Sequence, residues 1–321
     1  MTSSHLTLGT RGSELALAQT TTVTALLKSA HANLDVRREI IQTSGDKRQD
    51  LRFCEFQSQA HVDKGIFIKE LETALETEQV DAAVHSLKDV PSDLAPGFVI
   101  AAVLERAPTE DVLITKEPHT LETLPKGARV GTSSVRRARQ LQFLRPDLEI
   151  VEVRGNVPTR VRKVLGEEPL DAILLAAAGL VRLDLLDMAT SQITVDGQTL
   201  AAHIFDPTLF LPAAGQGAIA IECRADDLAT QTVLAAIDHR ETHTRVAAER
   251  EFLRLLGAGC QTPVGARTWF QGGQLHMAVR VFSEENLTAA PLELEASAEP
   301  HEPDLLAKYL ATQVLDHPSH R

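Results

Sequence analysis

A carboxylate that follows a lysine at the end of an apolar run can steady a positive centre and move a proton. In this 321-residue chain that pattern occurs at His85-Ser86-Leu87-Lys88-Asp89-Val90-Pro91, directly after the apolar Ala82-Ala83-Val84. The same pair also fits a solvated ion pair before a proline turn, and such pairs are individually weak. His85 itself fits a hydrogen-bonded core histidine. Arginines form the second group. Val130-Gly131-Thr132-Ser133-Ser134-Val135-Arg136-Arg137 passes from a strand pattern into a helix start. Unpaired N–H groups and the helix dipole favour an anion there, and two hydroxyls and two guanidiniums stand beside it. Ser133 or Ser134 equally suits a plain helix cap, and Arg136 and Arg137 a solvated face. The theme repeats at Arg154-Gly155-Asn156-Val157-Pro158-Thr159-Arg160 and at Thr10-Arg11-Gly12-Ser13. Ligands of open α/β sheets sit at the carboxyl ends of strands, so these arginines are placed to converge.

The cysteines are Cys54, Cys223 and Cys260. Cys260 follows Gly257-Ala258-Gly259 and precedes Gln261-Thr262-Pro263, a turn from which a thiol can reach out. It fits a nucleophile, an attachment point or no chemical role. Cys223, inside the apolar run Ile219–Cys223, reads as a small buried hydrophobe. Cys54 falls in Phe53–Ala60, where no pattern assigns it. An odd count without CxxC supports neither a disulfide framework nor a zinc ribbon. His239 and His243 have i, i+4 spacing but no HExxH, and GxxxxGK[ST] is absent. Neither a metal site nor a P-loop is expected.

Net charge is −12, which disfavours a nucleic-acid partner held by bulk electrostatics. Yet Arg129 to Lys163 carries nine basic residues against three acidic ones. A basic island in an acidic chain points to a confined anionic ligand rather than a long polyanion. The longest apolar run, Ala172–Val181, falls well short of the ~20 residues of a membrane helix. No basic-then-apolar leader opens the chain. A cytoplasmic, soluble protein is expected, with no membrane partner; the acidic surface fits a monomer.

Elements must carry these residues to one place. Strand patterns at Leu6–Leu8, Leu34–Gln42 and Ala82–Val84 alternate with helical patterns at Glu14–Ala30 and Phe67–Thr77. The rhythm returns with strands Asp111–Thr115, Val130–Thr132, Leu148–Val153 and Asp171–Leu175 around helices Ser134–Leu144 and Val157–Leu165. This predicts open, mainly parallel sheets covered by helices. After the strand Ala218–Cys223, a long helix Arg240–Leu256 leads to a hairpin of Val264–Phe270 and Leu275–Ser283. The strand Leu292–Ser297 and the helix Pro303–Leu315 follow, together a small α+β part with an antiparallel sheet. Asp196-Gly197 marks a further hairpin inside the long connection Asp187–Pro207.

In order along the chain, several motifs resemble the porphobilinogen deaminase (hydroxymethylbilane synthase) family. They are Thr10-Arg11-Gly12-Ser13, Lys64-Gly65-Ile66-Phe67, His85–Pro91, Gly131–Arg137, Arg154-Gly155-Asn156-Val157, Leu211–Ala218 and Gly259-Cys260-Gln261. The resemblance implies two domains like type II periplasmic binding proteins with open mixed sheets, and a small C-terminal domain with a three-stranded antiparallel sheet. The domains would be 1–104 with 208–224, then 105–207, then 225–321. It further implies head-to-tail joining of four porphobilinogen molecules, with loss of ammonia, in tetrapyrrole biosynthesis. The growing chain would sit on a dipyrromethane cofactor in thioether linkage to Cys260. Asp89, with Lys88, would be catalytic and touch the cofactor. Ser133, Ser134, Arg136, Arg137 and Arg160 would hold cofactor carboxylates. Arg11, Ser13, Arg154, Arg160 and Arg182 would line the substrate cleft, and Lys64 and Phe67 would belong to an active-site loop. Pro158 stands where the family has a smaller residue, which would displace the helix opening at Arg160. The rival reading is a non-catalytic two-domain binding protein for a small anion; it leaves Cys260 and the C-terminal part unexplained.

Overall fold

The computed structural model describes residues 5–43, 68–166, 170–258, 262–284, 286 and 288–317. The chain forms two compact units, Met1–Ala107 with Ala218–Ala247 and Pro108–Gly217 with Ala248–Arg321.

The first unit is built on a five-stranded sheet in the order β2-β1-β3-β12-β4. Its strands are β1 (His5–Thr10), β2 (Asp35–Ile40), β3 (Ala82–Ser86), β4 (Phe98–Val103) and β12 (Ile219–Arg224). β1, β2 and β3 are parallel, while β12 runs antiparallel to both β3 and β4. The sheet is therefore mixed rather than mainly parallel. Side chains alternate across it: Ala82 and Val84 join the core of α1 (Glu14–Ala30) through Val23 and Leu27, whereas Ala83 joins Leu71 and Leu75 of α2 (Lys69–Glu76). Burial on both faces explains why β3 reads as a continuous apolar run.

The second unit repeats the plan. Its strands are β5 (Asp111–Thr115), β6 (Arg129–Gly131), β7 (Glu149–Val151), β8 (Ala172–Ala176), β9 (Leu186–Asp187), β10 (Gln192–Val195) and β11 (Gln198–Ile204). Their order, β7-β6-β8-β5-β11-β10-β9, matches the first sheet strand for strand through β11. β5 takes the place of β12 and is likewise antiparallel to its neighbours. The duplication lies in topology and left no visible repeat in the sequence. α3 (Val135–Leu144) covers one face through Leu141. α4 (Val157–Arg162) and α5 (Ala177–Arg182) cover the other through Val161 and Leu180. The connection after Asp187 holds the expected Asp196-Gly197 hairpin, both residues at positive φ (49° and 74°), a turn that matches strand twist. It widens the sheet to seven strands.

Two boundaries moved for identifiable reasons. β7 stops at Val151 because the Ser133 hydroxyl replaces the ladder, accepting from Val153 N and donating to Val153 O. α4 stops at Arg162 because Lys163, Val164 and Leu165 donate to carbonyls three residues back, tightening the last turns.

The rest comprises α6 (Leu228–Ala235), α7 (Arg240–Leu255), the three-stranded antiparallel sheet β13 (Val264–Gln271), β14 (Gln274–Val281) and β15 (Leu292–Ala298), and α8 (Pro303–Asp316). That sheet packs with Phe252 of α7 and with Leu306, Leu310 and Val314 of α8. No described helix is long and apolar enough to cross a membrane.

Candidate active site

In the first unit, β1 and β3 lie side by side and parallel, so the segments leaving them share one sheet edge. β1 leads to Arg11 and to Ser13, whose hydroxyl caps α1 by accepting from Ala16 N. β3 leads into a single 3₁₀ turn, Leu87–Asp89, anchored by buried Leu87 and by Leu87 N donating to Ala218 O. The turn leaves Lys88 half-buried and Asp89 exposed. Gln19 of α1 donates to the Ser86 hydroxyl at 2.8 Å, tying the two junctions together. Arg11, Ser13, Lys88 and Asp89 are thus gathered on one edge.

Behind that edge is a pair that sequence had left as a core histidine. His85 Nε2 lies 2.9 Å from Glu222 Oε2, both buried. Glu72 of α2 faces this pair, and burial first, then the Glu222 charge, pushes its carboxyl above the usual range.

In the second unit, β6, β7 and β8 are parallel, and their carboxyl ends carry the other predicted residues. Ser134 caps α3, accepting from Arg137 N. Ser133 stitches β6 to β7 as above, so its hydroxyl is engaged with the backbone. Asn156 caps α4 by accepting from Thr159 N at 2.9 Å. Pro158 falls in the first turn, where proline is tolerated. Gly155 has φ +112°, and a Cβ there would meet the Thr159 side chain at 2.7 Å. Arg160 Nε donates to Gly155 O at 2.6 Å, and Arg154 Nε to Glu152. Arg182, at the end of α5, donates to Gly217 O at 2.6 Å; burial pushes its pKa down to about 10, so it stays charged near neutrality.

Arg136 and Arg137 are not a solvated face. They are 5% and 6% exposed and enclose Asp111, which is 0% exposed. Arg137 donates through Nε (3.0 Å) and Nη2 (2.7 Å) to Asp111 Oδ1, and Nη2 of Arg136 lies 2.7 Å from Oδ2. Burial alone would raise the Asp111 pKa, but the two guanidiniums outweigh it and hold it at about 2. Gln216 Nε2 also donates to Oδ1, at 3.0 Å. Sequence reading missed Asp111. The signal was an aspartate opening an otherwise apolar strand, Asp111-Val112-Leu113-Ile114-Thr115.

The same unit links this cluster to the C-terminal sheet. Buried Glu249 of α7 accepts from Gly215 N (2.7 Å) and from the Thr268 hydroxyl of β13 (2.6 Å). Arg280 of β14 donates to Gln140 of α3 and to Leu209 O. Cys223 is a free, buried thiol, pushed up to about 11 chiefly by burial, in line with its reading as a hydrophobe. Cys54, Lys64, Phe67 and Cys260 lie outside the described residues. Among those described, no group of His, Cys, Asp and Glu is arranged to hold a metal.

Chemically, one edge offers an exposed carboxylate beside a lysine, and the other a set of guanidiniums and capped helix starts. The latter suits ligand carboxylates: the Arg136 Nε is buried and has no hydrogen-bond partner among the described residues. An α/β chain with two like-built mixed sheets, each carrying cations at its strand ends, is the class so defined. A family model described as "Porphobilinogen deaminase, dipyromethane cofactor binding domain" matches residues 6–232, and one described as "Porphobilinogen deaminase, C-terminal domain" matches residues 243–316. The chain belongs to the porphobilinogen deaminase family. It is 46% identical over 273 residues to the porphobilinogen deaminase of Syntrophomonas wolfei, covering 85% of this chain and 83% of that one. With the Clostridium perfringens porphobilinogen deaminase the identity is 40% over 311 residues, or 97% and 99% of the two chains. Among solved structures it is similar to the methionine-binding protein MetQ, at 13% identity and a TM-score of 0.44, over 77% of this chain and 95% of that one.

Proposed function

We propose that this chain is a transferase of tetrapyrrole biosynthesis that joins four porphobilinogen molecules head to tail, losing ammonia each time, and that water then releases the linear tetrapyrrole from its primer as hydroxymethylbilane. The observation that carries the chemistry is the 3₁₀ turn that leaves the Asp89 carboxylate exposed beside Lys88 on the edge shared with Arg11 and Ser13. In this reading Asp89 stabilises the positive charge left on the pyrrole when ammonia departs, and it takes up the proton released after each new bond. Lys88 faces ligand carboxylates. Arg11, Ser13, Arg154, Arg160 and Arg182 hold the acetate and propionate groups of the substrate, and Lys64 and Phe67, outside the described residues, are assigned to the active-site loop.

Cys260 would hold a dipyrromethane cofactor in thioether linkage, with Ser133, Ser134, Arg136, Arg137 and Arg160 toward its carboxylates. When bound, that group supplies the free pyrrole carbon to which the first substrate is joined. The donor set fits it: buried guanidiniums, one of them with an unpartnered Nε, beside a capped helix start. We also propose the three-part division 1–104 with 208–224, 105–207 and 225–321 as the functional one.

Intact mass of the purified protein tests the assignment. An adduct of two pyrrole units is expected on the wild-type chain and none on Cys260→Ala. An adduct that survives this substitution, or sits on Cys54 or Cys223, overturns it. An adduct-free protein that binds porphobilinogen without releasing ammonia would select the anion-binding module instead.

A further inference from the structure

We propose that Asp111 is a built-in counter-ion that takes the place of a ligand carboxylate and keeps the Arg136–Arg137 site formed while no anion is bound. Gln216 holds it in orientation. The proposal rests on the reading above, in which these arginines face dipyrromethane carboxylates.

Two guanidiniums on consecutive residues, each about nineteen-twentieths buried, repel one another where water cannot screen them. Asp111 touches both, leaving the cluster one positive charge in excess. Arg137 is fully engaged: Nε and Nη2 donate to Asp111, and Nη1 donates to Leu174 O at 3.2 Å. Arg136 is not. Its Nη2 faces Asp111 and its Nη1 donates to Leu211 O at 2.6 Å, while its Nε is buried without a partner among the described residues. One surplus charge and one open donor on the same buried side chain suit one carboxylate oxygen. Gln216 bridges Asp111 Oδ1 and Thr109 O (3.0 and 2.6 Å), which fixes the carboxylate from behind.

The fold itself does not ask for an acid here. Asp111 opens β5 opposite Ala176, the last residue of β8. In the first sheet the matching place is the opening of β12 opposite Ser86, the last residue of β3, and it is filled by Ile219. An apolar residue closes that corner equally well, so the carboxylate answers to the arginines.

Melting temperatures with and without the cofactor separate this role from an ordinary structural ion pair. Asp111→Asn is made in the wild-type chain and in Cys260→Ala, and intact mass reports loading in each. In the unloaded background the melting temperature is expected to fall by on the order of 10 °C. In the loaded background it is expected to fall by less than half as much, because the ligand carboxylate supplies the missing charge. Equal falls in both backgrounds overturn the proposal, and so does no fall in either. A folded Asp111→Asn protein that carries no adduct also overturns it. Should the single variant fail to fold when unloaded, Asp111→Asn with Arg137→Met removes one charge of each sign and is expected to recover most of the loss; no recovery overturns the proposal. If the wild-type chain itself carries no adduct, the functional reading fails and takes this proposal with it. An adduct with equal falls sinks this proposal alone.

Discussion

Acid should find this protein's weak point at Asp111. Its carboxyl is held at about 2 in the folded chain, against an ordinary value of 3.8. A folded pKa below the unfolded one means stability that is fully present above pH ~4 and is lost as pH falls toward 2. The difference is close to two units, and at 1.36 kcal/mol per unit this amounts to about 2 kcal/mol at neutral pH. That is a sizeable part of a typical domain's margin. The group is wholly buried, so solvent does not dilute the effect. The measurement is a series of urea unfolding curves from pH 6 down to pH 2.5, on the wild-type chain and on Asp111→Asn. The variant starts lower, having lost the charge that holds two buried guanidiniums. Its stability should also fall less steeply with acid, so the two curves converge by about 1.5 kcal/mol by pH 2.5. Parallel curves over the whole range would refute the reasoning, for they would place the acid sensitivity in other carboxylates.

Other outcomes follow from particular contacts. Asp89→Asn should leave folding intact, since the side chain is exposed, while turnover drops by orders of magnitude; a loss under tenfold, about 1.4 kcal/mol of barrier, would remove Asp89 from its central role. Gly155→Ala forces a Cβ against Thr159 at positive φ and should cost about 1–3 kcal/mol in urea unfolding, with a raised KM because Arg154 and Arg160 flank the same turn. Cys223, with a pKa of about 11, should resist thiol reagents in the native protein at pH 8 and react only on unfolding, which mass after labelling will show.

Much of this was legible in the residues because local chemistry fixed it. The cap offered by Ser133 or Ser134 stands where a strand pattern gives way to a helical one, and Ser134 fills it; Asp196-Gly197 announced its turn. The edges that gather Arg11 with Asp89, and Ser134 with Arg154, followed from parallel pairing. Other features depended on partners far along the chain. β4 went unread although Phe98–Val103 is an unbroken apolar run, and β11 was met only as one arm of the Asp196-Gly197 hairpin, since its pairing with β5 joins it to a strand far along the chain. The mixed direction of the sheets came from the family resemblance and not from periodicity, because a strand carries no mark of which way its neighbour runs. Arg136 and Arg137 looked like free anion-grippers because Asp111, which engages them, is 26 residues from Arg137, and Gln216, which holds Asp111, is 105 residues from the aspartate. Glu222 hid its histidine in the same way, 137 residues apart.

The placement of β12 has a consequence for how the protein is made. The first sheet needs this strand between β3 and β4, yet it is synthesised only after the whole of the second sheet. At ribosomal rates of roughly 5–20 residues per second, β3 and β4 wait on the order of ten seconds with their inner edges unpaired. Those bare edges are templates for wrong pairing. The amino-terminal segment cannot complete its sheet as it emerges, whereas the second sheet has all its strands in one stretch and can close first. Nascent chains arrested before Ile219 should therefore hold a protease-resistant second sheet and a first sheet that is still open to attack, and they should be the species that a chaperone captures.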